Sequence, residues 1–123
     1  MPRCGVSGLL NVAVHIVEDD PSVCDSLLLL VRHLGFEARG YPDAESFMRE
    51  VPPAKADTII VDLLLPGLSG AGVIRWLQSL PEPPRIIAMT GQPLRAINRE
   101  VRDLGLETLL RKPLSQETLT AVL

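Results

Sequence analysis

The feature that most constrains this chain is a pair of continuous apolar runs of strand length. The segments 12–17 and 58–63 are built mainly from valine and isoleucine and lack the regular polar alternation of a half-exposed strand. Strands without that alternation are typically covered on both faces, as in parallel sheets flanked by helices. The two runs therefore predict strands inside an α/β fold.

Helical patterns and weaker strands fill the intervals between these runs. Asp20 and Pro21 predict a helix start, and Gly35 predicts its end. Asp43 is predicted to cap a short helix that runs through Glu50. The other strands are predicted at 36–41, 85–89 and 108–110, and the other helices are predicted after the turn at 66–70, near 94–104 and after Ser115. Five strands alternating with five helices predict an α/β, doubly wound, five-stranded parallel sheet with helices on both faces.

The composition limits the class of protein. A formal charge of −3 and only four aromatic residues argue against a nucleic-acid surface, so no direct nucleic-acid contact is expected. Cys4 and Cys24 are too few for a disulfide framework and lack metal-ligand spacing. No apolar run approaches the length of a membrane span, and no membrane partner is expected. We therefore expect a cytoplasmic protein with a flexible N-terminal extension at 1–10 and one domain at 11–123.

Polar side chains collect just past the carboxyl ends of the predicted strands. Glu18 and Asp19 follow the first strand, Asp62 ends the third, Thr90 follows the fourth and Lys112 follows the fifth. In open α/β sheets this edge is where ligands bind. Clustered carboxylates repel one another unless a cation binds, and a few hard oxygen ligands suit Mg²⁺, which also favours phosphate. The sequence therefore predicts a magnesium site beside a hydroxyl and an ammonium.

Simpler interpretations stay open for several residues. Asp62 lies in an apolar run and could instead form a buried ion pair with Lys112. Asp20 is expected to cap the first helix rather than bind metal. His15 is expected to be a core or face residue, because no second His or Cys has matching spacing. Lys112 is one of two lysines beside ten arginines, and a compact ammonium can reach one phosphoryl oxygen in a small cavity.

Taken in order, four motifs resemble the receiver domain of two-component response regulators, and they look closest to receivers whose regulators carry helix-turn-helix outputs. The motifs are IVEDD at 16–20, VDLLLPGLSG at 61–70, MTG at 89–91 and RKP at 111–113. Each motif is weak alone, but their order and spacing make the match specific over about 11–123. The resemblance implies a receiver domain there, with the flavodoxin-like strand order 2-1-3-4-5.

The resemblance also implies roles for the site residues. Asp62 would be the phosphoacceptor, taking a phosphoryl group from a phosphohistidine on a sensor histidine kinase or a phosphotransfer protein. Asp19, Asp62 and the backbone carbonyl of Leu64 would bind Mg²⁺ directly, and Glu18 would act through water. Such a domain is not an enzyme in the ordinary sense, although it promotes its own phosphoryl transfer and dephosphorylation.

The resemblance further implies that phosphorylation changes the conformation of the domain. Thr90 and Lys112 would hold phosphoryl oxygens, and the Lys112–Pro113 peptide bond would be cis. Phosphorylation would repack the face made by the helix near 94–104, the fifth strand and the last helix, which would bind a partner or a second copy in a homodimer. Leu109 stands where many receivers have an aromatic ring, which puts the usual coupling between threonine and that ring in doubt.

Three other functions compete with this interpretation. A Mg²⁺-dependent hydrolase working through an aspartyl phosphate needs a general acid/base near the nucleophile, and Leu64, two residues after Asp62, is not an acid. A flavin or nucleotide binder would end its first strand in a loop that offers N–H groups to phosphate, whereas Glu18-Asp19-Asp20 would repel it. A pseudo-receiver, which acts by protein binding without phosphorylation, is the main alternative.

Overall fold

The computed structural model describes residues 12–50, 52–65, 69–93, 102–106 and 108–123. Within these residues five strands and four helices form one α/β unit. The strands are β1 (Ala13–Val17), β2 (Glu37–Tyr41), β3 (Thr58–Asp62), β4 (Arg85–Thr90) and β5 (Thr108–Arg111). The helices are α1 (Pro21–His33), α2 (Ala44–Met48), α3 (Gly70–Gln78) and α4 (Gln116–Val122).

All five strands are parallel and lie in the order β2-β1-β3-β4-β5. This confirms the predicted doubly wound sheet and its strand order. The strand β3 is central: Ile60 pairs with Ile16 of β1 on one side and with Ile87 of β4 on the other. The strands β2 and β5 form the two edges, so the strong apolar runs lie inside the sheet as expected.

The two faces of the sheet bury separate apolar cores, which explains the continuous apolar runs. On one face Ile60 packs in a cluster with Leu27 of α1 and Leu119 of α4. On the other face Ile59 packs in a cluster with Phe47 of α2 and residues of α3. Neighbouring residues of a strand point to opposite faces of the sheet. The residues of β3 that face either side must therefore be apolar.

Local capping sets the helix ends. The side chains of Asp20, Asp43 and Ser115 accept backbone N–H groups at the starts of α1, α2 and α4, as predicted. After α1, Gly35 has a φ of 99°, and the Phe36 N–H bonds to the Val31 carbonyl at 3.3 Å. In this Schellman motif the backbone N–H of Phe36 belongs to the C-terminal cap of α1. The strand β2 therefore begins at Glu37, one residue later than predicted.

Other boundaries differ from the prediction or cannot be compared with it. The helix α2 ends at Met48 rather than Glu50, because the Glu50 N–H bonds to the Phe47 carbonyl three residues back, which tightens the last turn and ends the α-helical pattern. The expected extension at 1–10 and residues 94–101 of the predicted helix near 94–104 lie outside the described residues. Among the helices that the structure describes, none is both long enough and apolar enough to cross a membrane.

Candidate functional site

An ammonium group bridges two buried carboxylates at the carboxyl edge of the sheet. Glu18 follows β1, Asp62 ends β3 and Lys112 follows β5, so the parallel strands bring together residues that are far apart in sequence. The Lys112 Nζ atom lies 2.8 Å from Glu18 Oε1 and 2.8 Å from Asp62 Oδ2. Glu18 is 1% exposed and Asp62 is 3% exposed. The ion pair between Asp62 and Lys112 is therefore present, and it is part of a larger cluster.

Asp19 completes a group of three carboxylates. One oxygen from each of Glu18, Asp19 and Asp62 lies within 4.8 Å of the others. Glu18 and Asp62 are buried, whereas Asp19 is exposed, so the cluster opens to solvent on the Asp19 side. Carboxylate oxygens in small number suit Mg²⁺, which keeps several of its waters. The chemistry and spacing of these donors fit a divalent cation.

Burial and hydrogen bonding shift the pKa values of Glu18 and Lys112 in opposite directions. Burial raises the pKa of the Glu18 carboxyl and Asp62 adds to the rise, although hydrogen bonds from Lys112 and Asp20 lower it. Burial lowers the pKa of Lys112, but its bonds to Asp62 and Glu18 outweigh that effect and the net pKa is raised. Lys112 is therefore held as a cation. Lys112 bridges two of the three carboxylates, Glu18 and Asp62, so this ammonium balances the charge of the cluster only in part.

Backbone groups fix the orientation of both buried carboxylates. The Asp20 N–H donates to Glu18 Oε2 at 3.0 Å, and the Leu64 N–H donates to Asp62 Oδ1 at 2.9 Å. The first residue of α3 is Gly70, and a Cβ there would collide with the backbone of Asp62. A glycine is needed at this close approach, which lets α3 begin directly against the end of β3.

Thr90 ends β4, the strand that pairs with β3. Thr90 is 2% exposed, and its Oγ1 accepts the Gln92 N–H at 3.0 Å. Its carbonyl accepts the Lys112 N–H at 2.7 Å, which ties the two strand ends together. The Lys112–Pro113 peptide bond is cis, as expected. Leu109 is half-buried and packs against the core beneath α2 and α3.

The structure thus places Glu18, Asp19, Asp62 and Lys112 together, with Thr90 tied to Lys112 through the backbone. The structure also confirms the predictions for Asp20 and His15, which lie outside this site. Asp20 is the cap of α1, as expected. His15 is buried in β1, as expected for a core or face residue.

Sequence reasoning missed the partners of His15. Its Nε2 lies 3.0 Å from Asp57 Oδ2, and its Nδ1 lies 2.9 Å from Tyr41 Oη. The available signal was a carboxylate directly before the strongest predicted strand, where a buried strand start needs a partner for its backbone groups.

Comparison with known proteins identifies the family of the chain. Residues 14–123 match the family described as response regulator receiver domain. The chain is 28% identical over 110 residues to the transcriptional regulatory protein FixJ of Bradyrhizobium diazoefficiens, an alignment covering 89% of this chain and 54% of that protein. It is 35% identical over 109 residues to the sensory transduction protein RegX3 of Mycobacterium tuberculosis, covering 89% of this chain and 48% of that protein. The chain therefore spans about half the length of these relatives.

Solved structures give the same result for the fold. The receiver domain (CheY-like) from Methylobacillus flagellatus superposes with a TM-score of 0.77 at 24% identity, covering 89% of this chain and 93% of that one. The family match, over residues 14–123, covers most of the chain. The chain belongs to the receiver domain family of two-component response regulators.

Proposed function

We propose that this domain accepts a phosphoryl group onto Asp62 from a phosphohistidine on a sensor histidine kinase or a phosphotransfer protein. In this step the N–P bond of the phosphohistidine breaks and an O–P bond forms at a carboxylate oxygen of Asp62. The imidazole keeps the electron pair of the broken bond. Phosphoryl transfer of this kind depends mainly on positioning and on neutralising spread charge.

The observation that carries the proposal is the bridge from Lys112 to both Glu18 and Asp62. An ammonium at 2.8 Å from Asp62 is within reach of an oxygen that an attached phosphoryl group would add. We propose that Lys112 and Thr90 hold such oxygens. Asp19, Asp62 and the Leu64 carbonyl would bind Mg²⁺ directly, and Glu18 would do so through water. The bound ion would neutralise charge on the carboxylates and on the phosphoryl group.

The departure at Leu109 bears on how the domain switches. A leucine has no ring to move between an inner and an outer position, so we propose that switching here does not use the aromatic step of other receivers. The output face would include β5, α4 and the residues near 94–104, of which 94–101 lie outside the described residues. A homodimer through this face, a cytoplasmic location and the absence of nucleic-acid contact by this domain remain proposals.

The test is intact-mass spectrometry after incubation with acetyl phosphate and Mg²⁺. The wild-type chain should gain the mass of one phosphoryl group, and Asp62→Asn should not. Asp25→Asn is the matched control, because Asp25 is an exposed carboxylate on α1, and it should behave as wild type. No gain with acetyl phosphate or with a phosphorylated kinase would support the pseudo-receiver instead. Sustained release of inorganic phosphate at enzyme-like rates would support the hydrolase.

A further inference from the structure

A buried hydrogen-bonded chain of side chains lies outside the acidic site and links the sheet to the end of its edge strand. His15 on β1 joins Asp57 through Nε2 at 3.0 Å and Tyr41 through Nδ1 at 2.9 Å. All three residues are less than a tenth exposed. Because a carboxylate only accepts hydrogen bonds, His15 Nε2 donates to Asp57. In the neutral ring, Nδ1 then accepts the Tyr41 hydroxyl.

Asp57 is the fixed end of this chain. Its Oδ1 accepts the Ala13 N–H at 3.0 Å, its Oδ2 accepts the Ala54 N–H at 3.1 Å, and its carbonyl accepts the Arg85 N–H at 3.0 Å. These bonds tie Asp57 to the starts of β1 and β4 and to the segment that leads into β3. A carboxylate held from several directions gives His15 little freedom to move.

Tyr41 is the other end, and it touches the acidic site through its backbone. Its carbonyl accepts the Glu18 N–H at 3.0 Å. Tyr41 is the last residue of β2, an edge strand that pairs with β1 only. The carboxyl end of an edge strand has pairing partners on one side alone, so side-chain contacts count for more in holding it. The ring of Tyr41 also meets the ring of Phe47 edge-on, with centroids 5.1 Å apart.

From this geometry we infer that Asp57, His15 and Tyr41 are positioning residues for the acidic site. Asp57 fixes His15, His15 fixes Tyr41, and Tyr41 sets the backbone position of Glu18. The inference rests on the proposed function, because it assigns to the network the task of holding Glu18 where the carboxylate cluster can take up Mg²⁺. A purely structural role would stabilise the fold without changing the affinity of a folded site.

The test is a double-mutant cycle read by calorimetric titration with Mg²⁺ on the full chain. Tyr41→Phe removes the hydroxyl and keeps the ring. In His15→Gln the amide NH2 can replace Nε2 as the donor towards Asp57, whereas the ring nitrogen Nδ1 that accepts the Tyr41 hydroxyl is removed. Each variant should weaken the apparent Mg²⁺ affinity by about two- to tenfold, the range that one hydrogen bond supports. The double variant should be no weaker than either single variant, because all three lack the same bond.

Val31→Ala is the control for destabilisation, because Val31 is fully buried in the opposite core. It should lower the melting temperature and leave Mg²⁺ affinity unchanged at a temperature where every variant is folded. Wild-type affinity in folded Tyr41→Phe, or additive losses in the double variant, would overturn the inference while leaving the proposed function intact. A wild-type chain that takes up no Mg²⁺ would overturn both. If His15→Gln does not fold, Tyr41→Phe decides the question alone.

Discussion

Replacing Lys112 with methionine removes the one ammonium that the two buried carboxylates share. Methionine has a similar length, so the change removes charge more than volume. Breaking a buried ion pair by deleting one partner costs about 3–5 kcal/mol. The cost is smaller here for two reasons. The Lys112 side chain is 23% exposed, so water already screens part of the ion pair, and Glu18 can take up a proton once the ammonium is gone. We expect Lys112→Met to lower the free energy of unfolding by about 2–3 kcal/mol at neutral pH.

This loss should be visible in thermal unfolding and should depend on pH. For a chain of 123 residues, the usual entropy of unfolding converts this loss into a fall of about 8–12 °C in melting temperature. The pKa of Glu18 is already raised by burial, and removing Lys112 takes away a group that lowers it, so Glu18 binds a proton more readily in the folded variant than in the unfolded chain. Lowering the pH therefore stabilises the variant. The gap to wild type should narrow as the pH falls from neutral towards 4.5, the ordinary pKa of glutamate.

Lys55→Met is the matched control for this experiment. Lys55 is the other lysine of the chain and lies exposed before β3, so its replacement should change stability by less than about 0.5 kcal/mol. Guanidinium denaturation with both variants at two pH values completes the assay. Equal stability of the two variants, or a gap for Lys112→Met that widens at low pH, would refute the argument from shared charge.

Three further changes have defined outcomes. Gly70→Ala should lower the free energy of unfolding by about 1–3 kcal/mol in denaturant titrations and slow phosphorylation, because the new methyl group collides with the backbone of Asp62. An unchanged free energy of unfolding and an unchanged phosphorylation rate would show that α3 can move away from β3. Asp43→Ala should lower the melting temperature at neutral pH. The Ser46 N–H holds the pKa of Asp43 below its usual range, so the difference should vanish as the pH falls through that lowered pKa; a difference that persists in acid would contradict the capping role. Lys112→Arg should keep weak phosphorylation but lose the conformational response to it, and a full response by amide exchange would count against a role for a compact ammonium.

The sheet could be predicted because its determinants are local in sequence. The apolar run through Ile59 and Ile60 identifies a strand covered on both faces, and Asp43 and Ser115 identify helix starts by side-chain capping. The grouping of Glu18, Asp19 and Asp62 could also be predicted, because parallel strands place their carboxyl ends at one edge.

The remaining contacts depend on packing between distant segments. His15 and Asp57 are 42 residues apart, and no spacing rule connects a histidine on one strand with a carboxylate before another. The bridge from Lys112 to Glu18 as well as Asp62 depends on how β5 lies relative to β1. The need for glycine at position 70 appears only when α3 is seen against the end of β3.

The most direct test of the account is to find which carboxylate carries the phosphoryl group. Borohydride reduces an aspartyl phosphate to homoserine, and peptide mass spectrometry of the phosphorylated, reduced chain locates the change. We expect homoserine at Asp62 and at no other aspartate, with formation dependent on Mg²⁺. Homoserine at Asp19 or elsewhere, or equal labelling when Mg²⁺ is removed by chelation, would contradict it.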